Sequence, residues 1–315
     1  MPRKVIIDCD MGIDDAVALC MLLFDSRFEI LAVTASEGCV AAAQANSNLQ
    51  AMVSILDPDR YPRLGMASPA EQAPPVDTQY LYGEDGLGNS NFEASMRHSA
   101  LPAEKLIIDT VRANPDMVTI LCLGPATNLA KALLREPNLA AQIDQVIMTG
   151  GSMDGQGNVT ACSEFNFHFD PVSAKTILNS RMTKTLVPLD VTRQVTFGLE
   201  FLEELPVEAS RCGHFLRQIL PFAFRSYRQH LGQETILLND TVGALVLLEP
   251  DLFQSEPVAC DVETDGLLTR GMLVSDRRNL PECRPNANVI TGVMVDQARQ
   301  FIVDQLVVSG NATLH

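Results

Sequence analysis

An α/β fold, with a mostly parallel central sheet and helices on both faces, is the architecture this sequence predicts. Three observations carry the prediction. Short apolar runs alternate with helical patterns, several of those runs end in Gly, Pro or Asp, and 46% of the 315 residues are hydrophobic. Repeated strand-then-helix units imply parallel pairing, because each crossover returns the chain to the same end of the sheet. A chain of this length can bury a large core, and its composition marks neither a linker nor an internal repeat. One domain over residues 1–315 is the expectation.

Each element has its own signal. Val5-Ile6-Ile7 is an apolar run of the buried-strand kind. It passes into Asp8-Cys9-Asp10-Met11-Gly12-Ile13-Asp14-Asp15, after which Ala16-Val17-Ala18-Leu19 opens a helical pattern. Residues 28–34 read as a second strand, and the Ala-rich stretch 41–56 as a helix. Residues 63–91, rich in Pro and Gly, read as a long loop near the site. Residues 118–123 form a strand that stops at Gly124-Pro125, and 129–134 a helix with Thr127 or Asn128 as its N-cap. Residues 145–148 are a strand before Gly150-Gly151, and 185–190 are one more. In parallel sheets ligands bind beyond the carboxyl ends of the strands, where Asp8, Asp10, Gly124, Gly150 and Asp190 are expected to gather.

Whole-chain properties exclude several classes. A formal charge of −16 argues against nucleic acid, which needs clustered Lys and Arg. No apolar run approaches the ~20 residues that span a bilayer. Met1-Pro2-Arg3-Lys4 leads straight into the first strand, leaving no room for a signal peptide, so the cytoplasm is the expected compartment. The eight cysteines form no CxxC pair and are expected to be reduced and mostly buried.

The acidic strand end carries the chemistry. Four carboxylates fall within eight positions. Unit charges about 4 Å apart interact by roughly 4 kcal/mol at an effective dielectric of ~20. Converging carboxylates therefore raise one another's pKa values unless a cation sits among them. Oxygen-only ligands point to a hard divalent ion, Ca²⁺ or Mg²⁺. Helix capping by Asp14 and Asp15 explains two of the four and not the rest. A strand-end DxD also resembles that of haloacid dehalogenase-type phosphatases, with Asp8 and Asp10 as nucleophile and Mg²⁺ ligand. That pattern wants Thr or Val where Gly12 stands, and it leaves Asp14-Asp15 surplus.

Two later segments add to this. If 164–170 is extended, Glu164, Asn166, His168 and Asp170 share one face and three Phe residues the other. Such a polar face suits a polyol; a half-buried strand with a solvated face is the plainer alternative. Asn239-Asp240 opens an apolar helix, where an ordinary Asn or Asp N-cap is the competing explanation.

Together these features resemble the inosine-uridine-preferring nucleoside hydrolase family. The resemblance rests on residues 8–15 against the family's DxDxGxDD, on Gly124-Pro125-Ala126-Thr127-Asn128-Leu129-Ala130, on Gly150-Gly151, Gly157-Asn158 and Glu164-Phe165-Asn166, and on Asp170-Pro171 and Asp240. It implies a Rossmann-related sheet and a nucleoside N-ribohydrolase that yields free base and ribose. Asp10, Asp15, the Thr127 carbonyl and Asp240 would ligate a tightly held Ca²⁺, which would also take the 2′- and 3′-hydroxyls and the attacking water. Asp14 would be the general base. Asn158, Glu164 and Asn166 would hold the ribose, and Asp8 would orient the site from behind. The resemblance further implies a small-molecule nucleoside substrate, a role in purine or pyrimidine salvage, and a homodimer or homotetramer.

The base side departs from the family. Asn239 and Tyr82 stand where many members carry His, and Glu37-Gly38-Cys39 stands in place of an AGN element. Tyr227 falls where the family tends to place a Tyr near the base, with Arg228 and His230 beside it, and His168 is a further candidate acid. The chain has no Trp, which excludes indole stacking on the base. A protein that binds ribosides through the metal without efficient turnover is the alternative these departures raise; retention of Asp14 speaks against it.

Overall fold

The computed structural model describes residues 2–70, 74, 77–94, 101–278 and 284–314. Twelve strands lie among them. They are β1 (Arg3–Cys9), β2 (Phe28–Ala35), β3 (Arg63–Met66), β4 (Leu101–Pro102), β5 (Val118–Cys122) and β6 (Gln145–Thr149). Then follow β7 (Lys184–Val187), β8 (Thr196–Phe197), β9 (Ile236–Leu237), β10 (Phe253–Val262), β11 (Leu273–Asp276) and β12 (Ala287–Val293). Ten of them form one sheet in the order β11-β10-β12-β7-β6-β5-β1-β2-β3-β4; β8 and β9 pair separately. From β12 to β4 every pairing is parallel, and only β10 runs antiparallel to its neighbours. The mostly parallel sheet expected from the strand-then-helix alternation is present.

The strand residues alternate between two cores. Val5, Ile7 and Cys9 of β1 join one apolar cluster, while Ile6 joins the other. The first cluster takes in the helices Ile13–Leu22, Ala42–Leu56, Arg211–Ser226, Asn239–Leu248 and Val295–Ala312. The second takes in Ala103–Ala113, Thr127–Arg135 and Pro171–Leu178. A strand covered on both faces gains from burying every side chain, which is why Val5-Ile6-Ile7 of β1 and Ile120-Leu121-Cys122 of β5 read as apolar runs. Cysteines 9, 20, 39, 122, 212 and 260 are free and buried and Cys162 is free and half-buried; Cys283 lies outside the described residues.

Five local expectations are corrected. Residues 164–170 are not extended: Phe165–Phe169 is a short helix whose N-cap, Glu164, accepts the N–H groups of Asn166 and Phe167. Asp170 then caps the next helix, with Pro171 at its first position, so two capping signals override the period-two pattern. The strand expected at 185–190 ends at Val187, because Pro188 has no N–H to give the ladder, and Asp190 falls in the helix Leu189–Thr192. Residues 63–91 are not one loop, since they supply β3 and the helix Gln79–Tyr82. Neither Thr127 nor Asn128 caps its helix, the N-cap being Ala126, and the cap before Asn239 is Leu238.

Candidate active site

The carboxyl end of β1 lies between β2 and β5, with Asp8 opposite Thr34 on one side and Cys122 on the other. The chain then turns through Met11, whose φ of 66° costs an ordinary residue roughly 1–2 kcal/mol. The extended Gly12 follows, and Ile13 starts a helix at once. This sharp turn sets Asp14 and Asp15 in the first helical turn beside Asp10, where the helix dipole favours negative charge. Asp15 Oδ2 accepts the Gly12 N–H at 3.0 Å. Asp10 Oδ2 accepts the Cys39 N–H at 2.7 Å, and its carboxylate lies so close to Gly38 that a Cβ there would fall 2.0 Å from the same oxygen.

Asp240 arrives from a distant part of the chain, at the start of the helix Asn239–Leu248. Carboxylate oxygens of Asp10, Asp15 and Asp240 lie within 4.8 Å of one another, all buried. Burial, then the neighbouring carboxylates, push Asp15 and Asp240 well above the usual carboxylate range. Asp15 Oδ1 has no hydrogen-bond partner. The charged neighbours that shift these groups most are carboxylates, and among the described residues no Lys or Arg is one of them. An all-oxygen, anionic, buried cluster with an orphaned oxygen fits a hard divalent cation.

Asp14 stays outside that trio but touches it, hydrogen-bonding Asp240; burial is the largest cause that raises its carboxyl to about 6. Asp8 sits behind. Its Oδ1 accepts from Thr34 Oγ1 at 2.5 Å and Asn128 Nδ2 at 2.8 Å, and burial raises it to about 7. Thr149 Oγ1 lies 3.2 Å from Asp240 Oδ1 and accepts from Asn166 Nδ2 at 3.3 Å, linking the acidic cluster to the helix that carries Asn166. Glu164 is committed to framework bonds: it accepts from the backbone of Gly151, Asn166 and Phe167. Thr127 opens the helix Thr127–Arg135, and its Oγ1 donates to Asp170 Oδ2 at 2.6 Å.

A cavity of about 600 Å³ collects the remaining candidates, with Tyr82, Asn158, His168, Tyr227 and Asn239 in its wall. Tyr82 and Tyr227 both feel the Asp14 carboxylate, and burial raises both phenols well above their ordinary value. Asn158, in the cavity wall, accepts the Phe165 N–H on its Oδ1 at 2.9 Å. His230 makes an edge contact with Tyr80, which also lines this cavity.

Several supporting residues carried no sequence signal. Thr34, Thr149 and Thr192 act through strand register and helix packing that only the folded chain defines, whereas Asn128, expected as a helix cap, instead donates to Asp8. Asp190, expected among the strand-end groups, instead clamps the loop before Asn158, accepting the N–H of Met153 at 2.6 Å and of Asp154 at 2.7 Å. Arg193 reinforces the clamp on Asp154 and Gln156. Asp190→Ala is therefore expected to raise KM about tenfold, roughly 1.4 kcal/mol, with a smaller change in kcat. Steady-state kinetics check this, and an equal loss confined to kcat contradicts it.

The cluster at the strand ends has the donor set of a divalent-metal site, with a cavity large enough for a small molecule beside it. A family model described as inosine-uridine preferring nucleoside hydrolase matches residues 5–300. The pyrimidine-specific ribonucleoside hydrolase RihA of Citrobacter koseri is 32% identical over 308 residues, 97% of each chain. The inosine-uridine preferring nucleoside hydrolase of Crithidia fasciculata is 29% identical over 282 residues, 89% of each. Among solved structures, the purine-preferring ribonucleoside hydrolase from Gardnerella vaginalis superposes with a TM-score of 0.90 at 25% identity, over 99% of this chain and 100% of that one. The chain belongs to the inosine-uridine preferring nucleoside hydrolase family and is a hydrolase of nucleoside N-glycosyl bonds. The phosphatase alternative falls with that assignment. Among the described residues no helix is long and apolar enough to cross a membrane.

Proposed function

We infer that the protein is a Ca²⁺-dependent nucleoside N-ribohydrolase that releases free base and ribose. The observation that carries this is the meeting of Asp10, Asp15 and Asp240 beside Asp14, whose charge acts on Tyr82 and Tyr227 in the wall of an aromatic cavity. Asp10, Asp15, Asp240 and the Thr127 carbonyl hold the ion. A divalent cation bound there supplies electrostatic activation of water and a grip on vicinal hydroxyls. Asp14 takes a proton from the attacking water, a role its raised pKa suits because the ideal general base lies near the working pH. The surrounding carboxylates stabilise the oxocarbenium-like sugar. Asn158 and Asn166 face the ribose, with Glu164 holding the helix that carries Asn166, and Asp8 fixes the strand end. Tyr82, Tyr227, His168 and Asn239 border the base.

A homodimer or homotetramer, the cytoplasm and a salvage role complete the reading. A binding role without turnover is favoured by one observation, the amide of Asn239 where an acid is expected; Asp14 has no evident use in such a protein. The relatives divide between pyrimidine and purine preference, so base choice rests on this chain's own pocket. Free ribose released from a panel of purine and pyrimidine nucleosides, with Ca²⁺ and with a chelator, tests the reading. Calcium-dependent ribose release is expected; absence of sugar release from every nucleoside would overturn it.

A further inference from the structure

The geometry points to ribonucleosides whose base already carries a positive charge, quaternised at a ring nitrogen, as the preferred substrates of this site. The inference rests on the N-ribohydrolase reading above. A neutral base leaves with the electron pair of the C1′–N bond and needs a proton to offset it. Among the described residues the cavity wall holds no Lys or Arg and one His, and Tyr82 keeps its proton because burial and then the Asp14 carboxylate raise its phenol well above the usual range. Asn239 has no ionisable proton, and its Oδ1 accepts the Thr192 hydroxyl at 2.8 Å, so the amide nitrogen offers the cavity a hydrogen bond and nothing more. The Tyr227 hydroxyl donates to the Leu237 carbonyl, and His168 Nδ1 is turned to the Arg270 carbonyl at 3.2 Å.

A quaternised base removes the requirement. The C1′–N bond breaks, its electron pair neutralises the ring, and the base departs uncharged. Water oxygen bonds C1′, and the water proton passes to Asp14 and then to solvent. The cavity wall suits the charge. Tyr80, Tyr82, Phe165 and Tyr227 present aromatic rings, Asp77 adds a carboxylate, and among the described residues no Lys or Arg lines it. Cations are attracted to aromatic faces by the ring quadrupole. The net charge of −16 favours approach of such a substrate.

The test compares kcat/KM of the Ca²⁺-loaded enzyme for 7-methylinosine, N-ribosylpyridinium and inosine. The cationic ribosides are expected to exceed inosine by on the order of 10²–10⁴-fold, the usual contribution of the missing general acid. Asn239→His is expected to raise inosine turnover and narrow that gap without speeding the cationic substrates. Tyr80→Leu, which removes one aromatic ring from the wall, is expected to raise KM for N-ribosylpyridinium about 2–5-fold more than it raises KM for inosine. Equal kcat/KM for inosine and 7-methylinosine in the wild type, or a gap that Asn239→His leaves intact, overturns the proposal alone. Failure to hydrolyse any of the three ribosides overturns the N-ribohydrolase reading with it.

Discussion

Asp14→Asn is expected to cut kcat for nucleoside hydrolysis by about 10²–10⁴-fold while Ca²⁺ still binds. Asp14 lies in the first turn of its helix, next to Asp15, yet outside the trio of converging oxygens. Its backbone carbonyl accepts the Thr241 hydroxyl at 3.1 Å, which ties its position to the helix that brings Asp240. The amide keeps the shape and the hydrogen bond to Asp240 but cannot accept a proton. Kinetics and calorimetric Ca²⁺ titration of the same preparation check this. Loss of Ca²⁺ binding in step with activity would make Asp14 a ligand, and unchanged kcat would remove it from the chemistry.

Asp15→Asn is expected to change sign with the metal. In the metal-free protein the substitution raises Tm, because Asp15 enters the fold beside two other buried carboxylates. Whether it stays charged or takes up a proton there, it costs free energy that an amide does not. The Asn side chain still accepts the Gly12 N–H, so the helix start survives. With the ion present the order reverses. At a Ca²⁺ concentration 100 times Kd the wild type gains about 2.7 kcal/mol, a gain the variant loses with its ligand. Thermal melts with and without Ca²⁺ read both arms. A variant less stable than wild type under both conditions would mean that Asp15 acts only as a helix cap.

The acidic centre was legible because it is local. Asp10, Asp14 and Asp15 lie within six positions, and a strand followed at once by a helix leaves them one place to go. Asp240 came from resemblance, since nothing within its own segment distinguishes a ligand from a cap. The segment 164–170 was misread for a physical reason. Three Phe residues at alternate positions mimic a strand, yet Glu164 and Asp170-Pro171 each close a helix start, and caps decide in so short a stretch. The residues that hold the site in place were beyond reach. Thr34 meets Asp8 only through the β1–β2 register, and Thr192 meets Asn239 only once two helices pack. The tyrosine-rich, acid-poor base pocket needed the fold as well, because its wall comes from four separate stretches of chain.

The most direct test of the central claim is a titration of turnover. Protein stripped by chelation receives Ca²⁺ in fractions of an equivalent while free ribose from a nucleoside is measured. Activity absent at the start, rising in proportion and breaking at one ion per chain, is the predicted result. Full activity in the stripped protein, or a rise that Asp10→Asn and Asp240→Asn leave unaltered, would contradict it.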